Sequence, residues 1–171
     1  AMRRVREIVI MGGVLDRPGN VSLCAEFNIY ADPHAAAVVF ECGAPIILFP
    51  LNVTEQVVLT RDMVAEHAGA GLGKFVRDIT GHTMEFSARV EDRRGMYVHD
   101  ALTIAYLVDE SLFGFRDARV TIETAGDMAA GLTAADLRDR PRFADSPNAR
   151  IALSVDAARF LALFEERVLR G

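Results

Sequence analysis

Positions 20, 26 and 28 of this chain are asparagine, glutamate and asparagine, and all three fall in one stretch, GGVLDRPGNVSLCAEFN, running from Gly12 to Asn28. Such a set suits vicinal hydroxyls. Each sugar hydroxyl both donates and accepts; amides offer both functions, and a carboxylate accepts. Glu26 and Asn28 lie two apart and Asn20 lies six before Glu26, so an irregular backbone could bring all three onto one ligand. Spacing alone favours a plainer account, in which Asn20 serves the turn after Gly19 and the other two act as caps or surface groups near the next helix. The second candidate is His99-Asp100, directly before the apolar run ALTIAYL. Here too the plainer account comes first, with Asp100 as a helix N-cap and His99 as its exposed neighbour. A carboxylate at a helix start is also placed to hold a cation, and the imidazole beside it to donate a proton.

Other motifs carry less. GAGLGK at 69–74 invites a phosphate-loop interpretation, but a Walker loop needs Gly at 68 and Ser or Thr at 75, where Ala and Phe stand. The dinucleotide pattern fails as well, because Lys74 occupies its last glycine and no strand precedes it. The stretch is read as a flexible connection between helices. Cys24 and Cys42 match no metal or redox spacing and are read as buried, reduced thiols. His34, His67 and His82 sit on expected helices and receive no role.

The elements that must position these residues follow from local pattern. Glu7 to Met11 is a short β-branched run ending at Gly12-Gly13, a buried strand opening into a loop at its carboxyl end, where α/β folds place ligands. Asp32-Pro33 caps and starts a helix that Gly43 stops, and Ile46 to Phe49 is a second buried strand. Thr60 caps a short helix, and Lys74 to Val90 is amphipathic and helical. EDRRG then reads as a loop before a helix from Ala101 to Val108. Arg119 to Thr124 alternates as a strand, and 138–148 is a surface loop. Ile151 to Val155 is the last strand, and Asp156 caps the last helix. Strands alternating with helices predict an α/β fold with a mostly parallel sheet flanked by helices.

With 171 residues the chain is one domain by size, or two small lobes at most. A hydrophobic fraction of 51% with 25% charged residues is that of a folded protein at the apolar end of the range. The longest apolar stretch, 44–53, is broken by Pro45, Pro50 and Asn52, so no membrane-spanning segment is expected. The N-terminus lacks the apolar core of a secretory signal, and a cytoplasmic location is expected. The net charge is −5, and beyond the cluster Arg3, Arg4 and Arg6 the arginines near 93 and 140 are interleaved with aspartates; nucleic acid is not an expected partner.

Read together, the IVIMGG strand and loop, GN followed by AEFNIYADPHAA, LNVTEQVVLT, HDALTIAYLVD and NARIALSVDAARFLALF resemble the inosine-uridine-preferring nucleoside hydrolases in order and approximate spacing. These are calcium-dependent enzymes that split a nucleoside into ribose and free base. The resemblance spans nearly the whole chain and reverses the weighing of both candidate sites. It implies that Asn20, Glu26 and Asn28 match positions that hydrogen-bond the ribose hydroxyls and strain the sugar toward an oxocarbenium ion. By the same comparison Asp100 matches a calcium ligand, His99 matches the histidine that protonates the departing base, and Phe27 falls where it could line the ribose pocket. The base pocket would be built largely from segments such as 74–98.

Two departures accompany the resemblance. The family's cluster Asp-x-Asp-x-x-x-Asp-Asp, source of most calcium ligands and of the general base, does not occur in these residues. The chain is therefore expected to be a single partial domain, residues 1–171, that is the C-terminal half of the fold. A Ca²⁺ site usually needs 6–8 oxygens, of which Asp100 supplies one or two. Asn52-Val53-Thr54-Glu55 stands where the family commonly has Asp and His at the first and last positions. The expected function is nucleoside hydrolysis, incomplete in this chain alone and completed by a complementary N-terminal half. The alternative is a non-catalytic relative acting as a ribose-binding or assembly module. Self-association is expected from apolar edges and faces left uncovered.

Overall fold

The β-branched run at the start of the chain forms a strand, and its partners come from far along the sequence. A computed structural model describes residues 5–69, 71–90, 94–141 and 146–170. Arg3 and Arg4, Ala70, and parts of two expected loops, 91–93 and 142–145, lie outside the described residues. In chain order the elements are β1 (Ile8–Met11), α1 (Phe27–Ala31), α2 (Pro33–Phe40), β2 (Ile46–Phe49), α3 (Leu51–Thr54), β3 (Val58–Thr60), α4 (Arg61–Glu66), α5 (Gly71–Val90), β4 (Gly95–Tyr97) and α6 (Ala101–Val108). A 3₁₀ turn (Glu110–Leu112) follows, then β5 (Phe113–Ala118), β6 (Val120–Ile122), β7 (Thr133–Ala135), β8 (Ala149–Val155), α7 (Ala157–Phe164) and a π-helical turn (Glu165–Leu169). The α/β expectation holds.

The chain divides into two units, one of Ala1–Thr54 with Phe113–Ser154 and the other of Glu55–Leu112 with Val155–Gly171. The first is built on a four-stranded sheet in the order β1-β2-β8-β5. β1 and β2 pair in parallel with Ile8 opposite Ile46 and Met11 opposite Phe49, and β2 pairs in parallel with β8 through Leu48 and Ile151. All four residues of β2 are buried, as a parallel strand covered on both faces requires. Ile29 and Phe40 from the helices, Ile46 and Leu48 from β2, Val120 and Ile122 from β6, and Ile151 from β8 form one core. Arg119–Thr124 was expected as a strand, and β6 forms there, but it pairs antiparallel with β7 in a separate two-stranded sheet. Asn148 fastens this pair to α2: its Oδ1 accepts from the N–H of Val120 at 2.7 Å, and its Nδ2 donates to the carbonyls of Val120 at 2.9 Å and Phe40 at 3.0 Å.

The second unit packs α4, α5 and the last turns of the chain around Leu59, Val64, Val76, Met84 and Leu169, with the antiparallel pair β3/β4. Here the glycine-rich stretch corrects the sequence expectation, because from Gly71 onward it is the first turn of α5 and not a connection. Gly73 explains the composition: a Cβ there would stand 2.1 Å from the carbonyl oxygen of His67 and 2.8 Å from that of Leu169, so the backbones approach too closely for any side chain. The thiols also differ from expectation. Cys24 and Cys42 are free but only half-buried, and Cys24 Sγ lies 3.0 Å from the carbonyl of Met128. Among the described residues, no helix is long and apolar enough to cross a membrane.

Candidate functional site

β1 delivers the chain to Gly12 and Gly13 at the carboxyl end of the sheet. Gly13 has φ +78°, and a Cβ there would meet Thr133 Oγ1 at 2.8 Å, so glycine is required twice over. The backbone amide of Gly13 points at Glu26. That carboxylate, in a residue only 2% exposed, takes the N–H of Gly13 on Oε2 at 2.9 Å, the N–H of Ile29 on Oε2 at 3.2 Å and the N–H of Asn28 on Oε1 at 2.9 Å. Glu26 is thus the N-cap of α1, as the plainer account held, and at the same time the post on which the strand-end loop hangs.

Asn20 does not serve the turn after Gly19. Its Oδ1 reaches across the loop to accept the N–H of Phe27 at 2.9 Å, and Asn28 Nδ2 donates to the carbonyl of Met11 at 3.3 Å. The three side chains therefore converge on the end of β1 and the first turn of α1. Asn20 and Asn28 are exposed, and Phe27 between them is 59% exposed. This arrangement can present amide groups and an aromatic face to a polyhydroxylated ligand at a strand's carboxyl end, with the buried Glu26 carboxylate fixing the loop that carries them. Beneath it lies Thr133, 1% exposed, whose hydroxyl has no hydrogen-bond partner among the described residues. Sequence reasoning missed Thr133, which gives no local signal.

The turn after β2 laces onto the same loop. Gly12 N–H donates to the carbonyl of Phe49 at 3.1 Å, and Leu51 N–H donates to that of Gly13 at 2.9 Å. Asn52 Oδ1 accepts the N–H of Leu15 at 3.0 Å while its Nδ2 donates to Asp16 Oδ1. The departure noted at position 52 is therefore an amide in use at both ends.

His99 and Asp100 belong to the second unit, whereas Asn20, Glu26 and Asn28 belong to the first. Asp100 occupies the N-cap position of α6, yet its side chain makes no capping hydrogen bond. Its backbone carbonyl accepts instead, from the N–H of Thr103 at 3.1 Å and the Thr103 hydroxyl at 2.7 Å. The exposed carboxylate is thus not spent on the helix, contrary to the plainer account. His99 is half-buried, its ring edge-on to Tyr97 with centroids 5.4 Å apart.

The donor set does not fit calcium by itself. Among the described residues no group of three or more His, Cys, Asp or Glu side chains gathers to hold a metal, and a Ca²⁺ ion takes 6–8 oxygens.

The sequence profile of the inosine-uridine preferring nucleoside hydrolases matches residues 1–162. The chain belongs to this family. The pyrimidine-specific ribonucleoside hydrolase RihB of Shigella flexneri serotype 5b is 34% identical over 96% of this chain and 52% of its own length. Among solved structures, the chain is similar to a plant nucleoside hydrolase, at 29% identity with a TM-score of 0.89 over 99% of this chain and 55% of that one. It is also similar to a purine-preferring ribonucleoside hydrolase from Gardnerella vaginalis, at 32% identity with a TM-score of 0.84, covering 95% and 51%. The chain spans about half the length of each of these three relatives.

Proposed function

We propose that this chain supplies the sugar-binding and base-departure groups of a ribonucleoside hydrolase, acting with a complementary N-terminal half supplied by the rest of a longer protein or by another chain. The observation that carries this reading is the convergence of Asn20, Glu26 and Asn28 at the carboxyl end of β1 in a member of this family. Cleaving an N-glycosidic bond builds positive charge on the ribose and negative charge on the base. Asn20 and Asn28 bind the ribose hydroxyls. Glu26 holds the loop beneath them, and its Oε1, which accepts the N–H of Asn28, keeps a lone pair for a second donor. His99 protonates the departing base, which would typically contribute about 10²–10⁴-fold. Asp100 would supply one ligand to a calcium ion, the remaining ligands coming from the complementary half.

The test is release of reducing sugar from uridine and inosine, with and without calcium, by this chain alone and together with an N-terminal half from a relative. Calcium-dependent release that needs both halves and falls at least about 10²-fold with His99→Ala supports the reading. No release under either condition rejects it. A second reading, a ribose-binding or assembly module without turnover, is favoured by one observation: among the described residues no group of three or more His, Cys, Asp or Glu side chains gathers to hold a metal. It expects ribose or nucleoside binding that calcium does not alter. Cytoplasmic location and self-association complete the proposal, the latter from the apolar side chains left exposed on α5 and α6.

A further inference from the structure

We propose that Asn52 and Asp16 form a clamp that positions the sugar-binding loop, which makes both of them positioning residues for ribonucleoside binding; this rests on the reading of Asn20, Glu26 and Asn28 as the sugar contacts. The loop leaves β1 at Gly12 and must travel out and back before Asn20 can accept the N–H of Phe27. On its return side it is held by Glu26, through the amide of Gly13. On its outgoing side the backbone contacts to Phe49 and Leu51 end at Gly13, and beyond them Asn52 takes over. Its Oδ1 receives the N–H of Leu15, and its Nδ2 donates to the carboxylate of Asp16, four residues before Asn20. Past Asp16 the chain turns back, and Gly19 N–H meets the carbonyl of Leu23 at 3.3 Å. A Cβ on Gly19 would sit 2.0 Å from the carbonyl oxygen of Ala25, so the returning limb is pressed against the segment that leads to Glu26. The place at which Asp16 is anchored therefore fixes where Asn20 begins its reach.

The chemistry of the pair is directional. Position 52 must accept from Leu15 and donate to position 16, which an amide does and a carboxylate does not. Asn52→Asp would set acceptor against acceptor and two like charges side by side. Exchanging the two side chains restores complementarity: a carboxylate at position 52 would accept from Leu15 with one oxygen and from an amide at position 16 with the other. Asp16→Asn alone replaces a charged acceptor by a neutral one opposite Asn52 and is expected to fall between the native protein and Asn52→Asp.

The experiment compares the native chain, Asn52→Asp, Asp16→Asn and the double exchange. Amide hydrogen exchange at Leu15 and calorimetric binding of uridine and inosine are measured with the complementary half present. Asn52→Asp should raise exchange at Leu15 and weaken nucleoside binding by about tenfold each, and the double exchange should return both to within about twofold of native. A double exchange no better than Asn52→Asp, or one that does not fold, overturns the clamp, as does native behaviour of Asn52→Asp. If exchange at Leu15 responds while nucleoside affinity does not, the positioning role falls. If the native protein binds neither nucleoside, the proposed function fails, and exchange at Leu15 still decides whether the clamp exists.

Discussion

Glu26 shows how one side chain can satisfy two accounts of itself. A buried carboxylate that accepts three backbone N–H groups saturates the strand-end loop and the start of α1 together. Glu26→Gln keeps the shape but turns an NH₂ toward at least one of those N–H groups, leaving a buried donor unmet. The expected loss is about 1–3 kcal/mol in chemical denaturation, with nucleoside affinity falling alongside. Thr133 is the opposite case, a buried hydroxyl without a partner among the described residues, beside Gly13. Thr133→Val removes that polar group at nearly constant volume and should leave stability unchanged or raise it by about 1 kcal/mol. A loss of stability in the same denaturation experiment would mean that the hydroxyl has a partner, such as a buried water.

Among elements, those governed by neighbouring residues could be read directly from the sequence. Asp32, Thr60 and Asp156 were each legible as helix caps, and each accepts the expected N–H, from Ala35, Met63 and Arg159. The strands β1 and β2 were legible because a β-branched run between turn signals needs no distant information. The three-residue strands β3, β4 and β7 were not, since their existence depends on partners that only the folded chain supplies. The same limit applied to the site: the cluster 20, 26, 28 is local and visible, whereas Asn52 meets the loop at Asp16 across 36 residues and Thr133 comes beside Gly13 from farther still. Asn148 carries a further prediction, because its amide joins the end of α2 to the start of β6, beside the ion pair of Arg119 with Glu41. Asn148→Ala deletes three hydrogen bonds and should cost about 2–4 kcal/mol in denaturation. On α5, hydrogen bonds from Lys74 and then Arg77 hold the Asp78 carboxyl below its ordinary value of 3.8. A lowered folded-state value stabilises the fold above the ordinary value and ceases to do so as pH falls through the lowered one. The melting temperature of Asp78→Asn should therefore fall less than that of the native chain as pH drops below 3.8, by a small margin because the pair is exposed.

At the scale of the molecule, several large apolar side chains of the described surface stand exposed along single helices. α5 buries Val76 and Met84 on its inner side, yet Leu72, Phe75, Ile79, Phe86 and Val90 are all about half or more exposed along the same helix. Their spacing of three, four, seven and four residues keeps them on one stripe, the pattern of a helix that meets a second partner. α6 adds Ile104, Leu107 and Val108, each near 60% exposed. Contiguous patches of this kind mark surfaces that bind something else. Association of the isolated chain should consequently rise with concentration in light scattering. Phe75→Lys combined with Ile79→Glu should shift it toward monomer while leaving the melting temperature nearly unchanged, because neither side chain belongs to the inner core of its unit. A native chain that stays monodisperse and monomeric at high concentration would show that the stripe is simply solvated. Association that persists in the double variant would move the contact to another surface, with α6 the next to test.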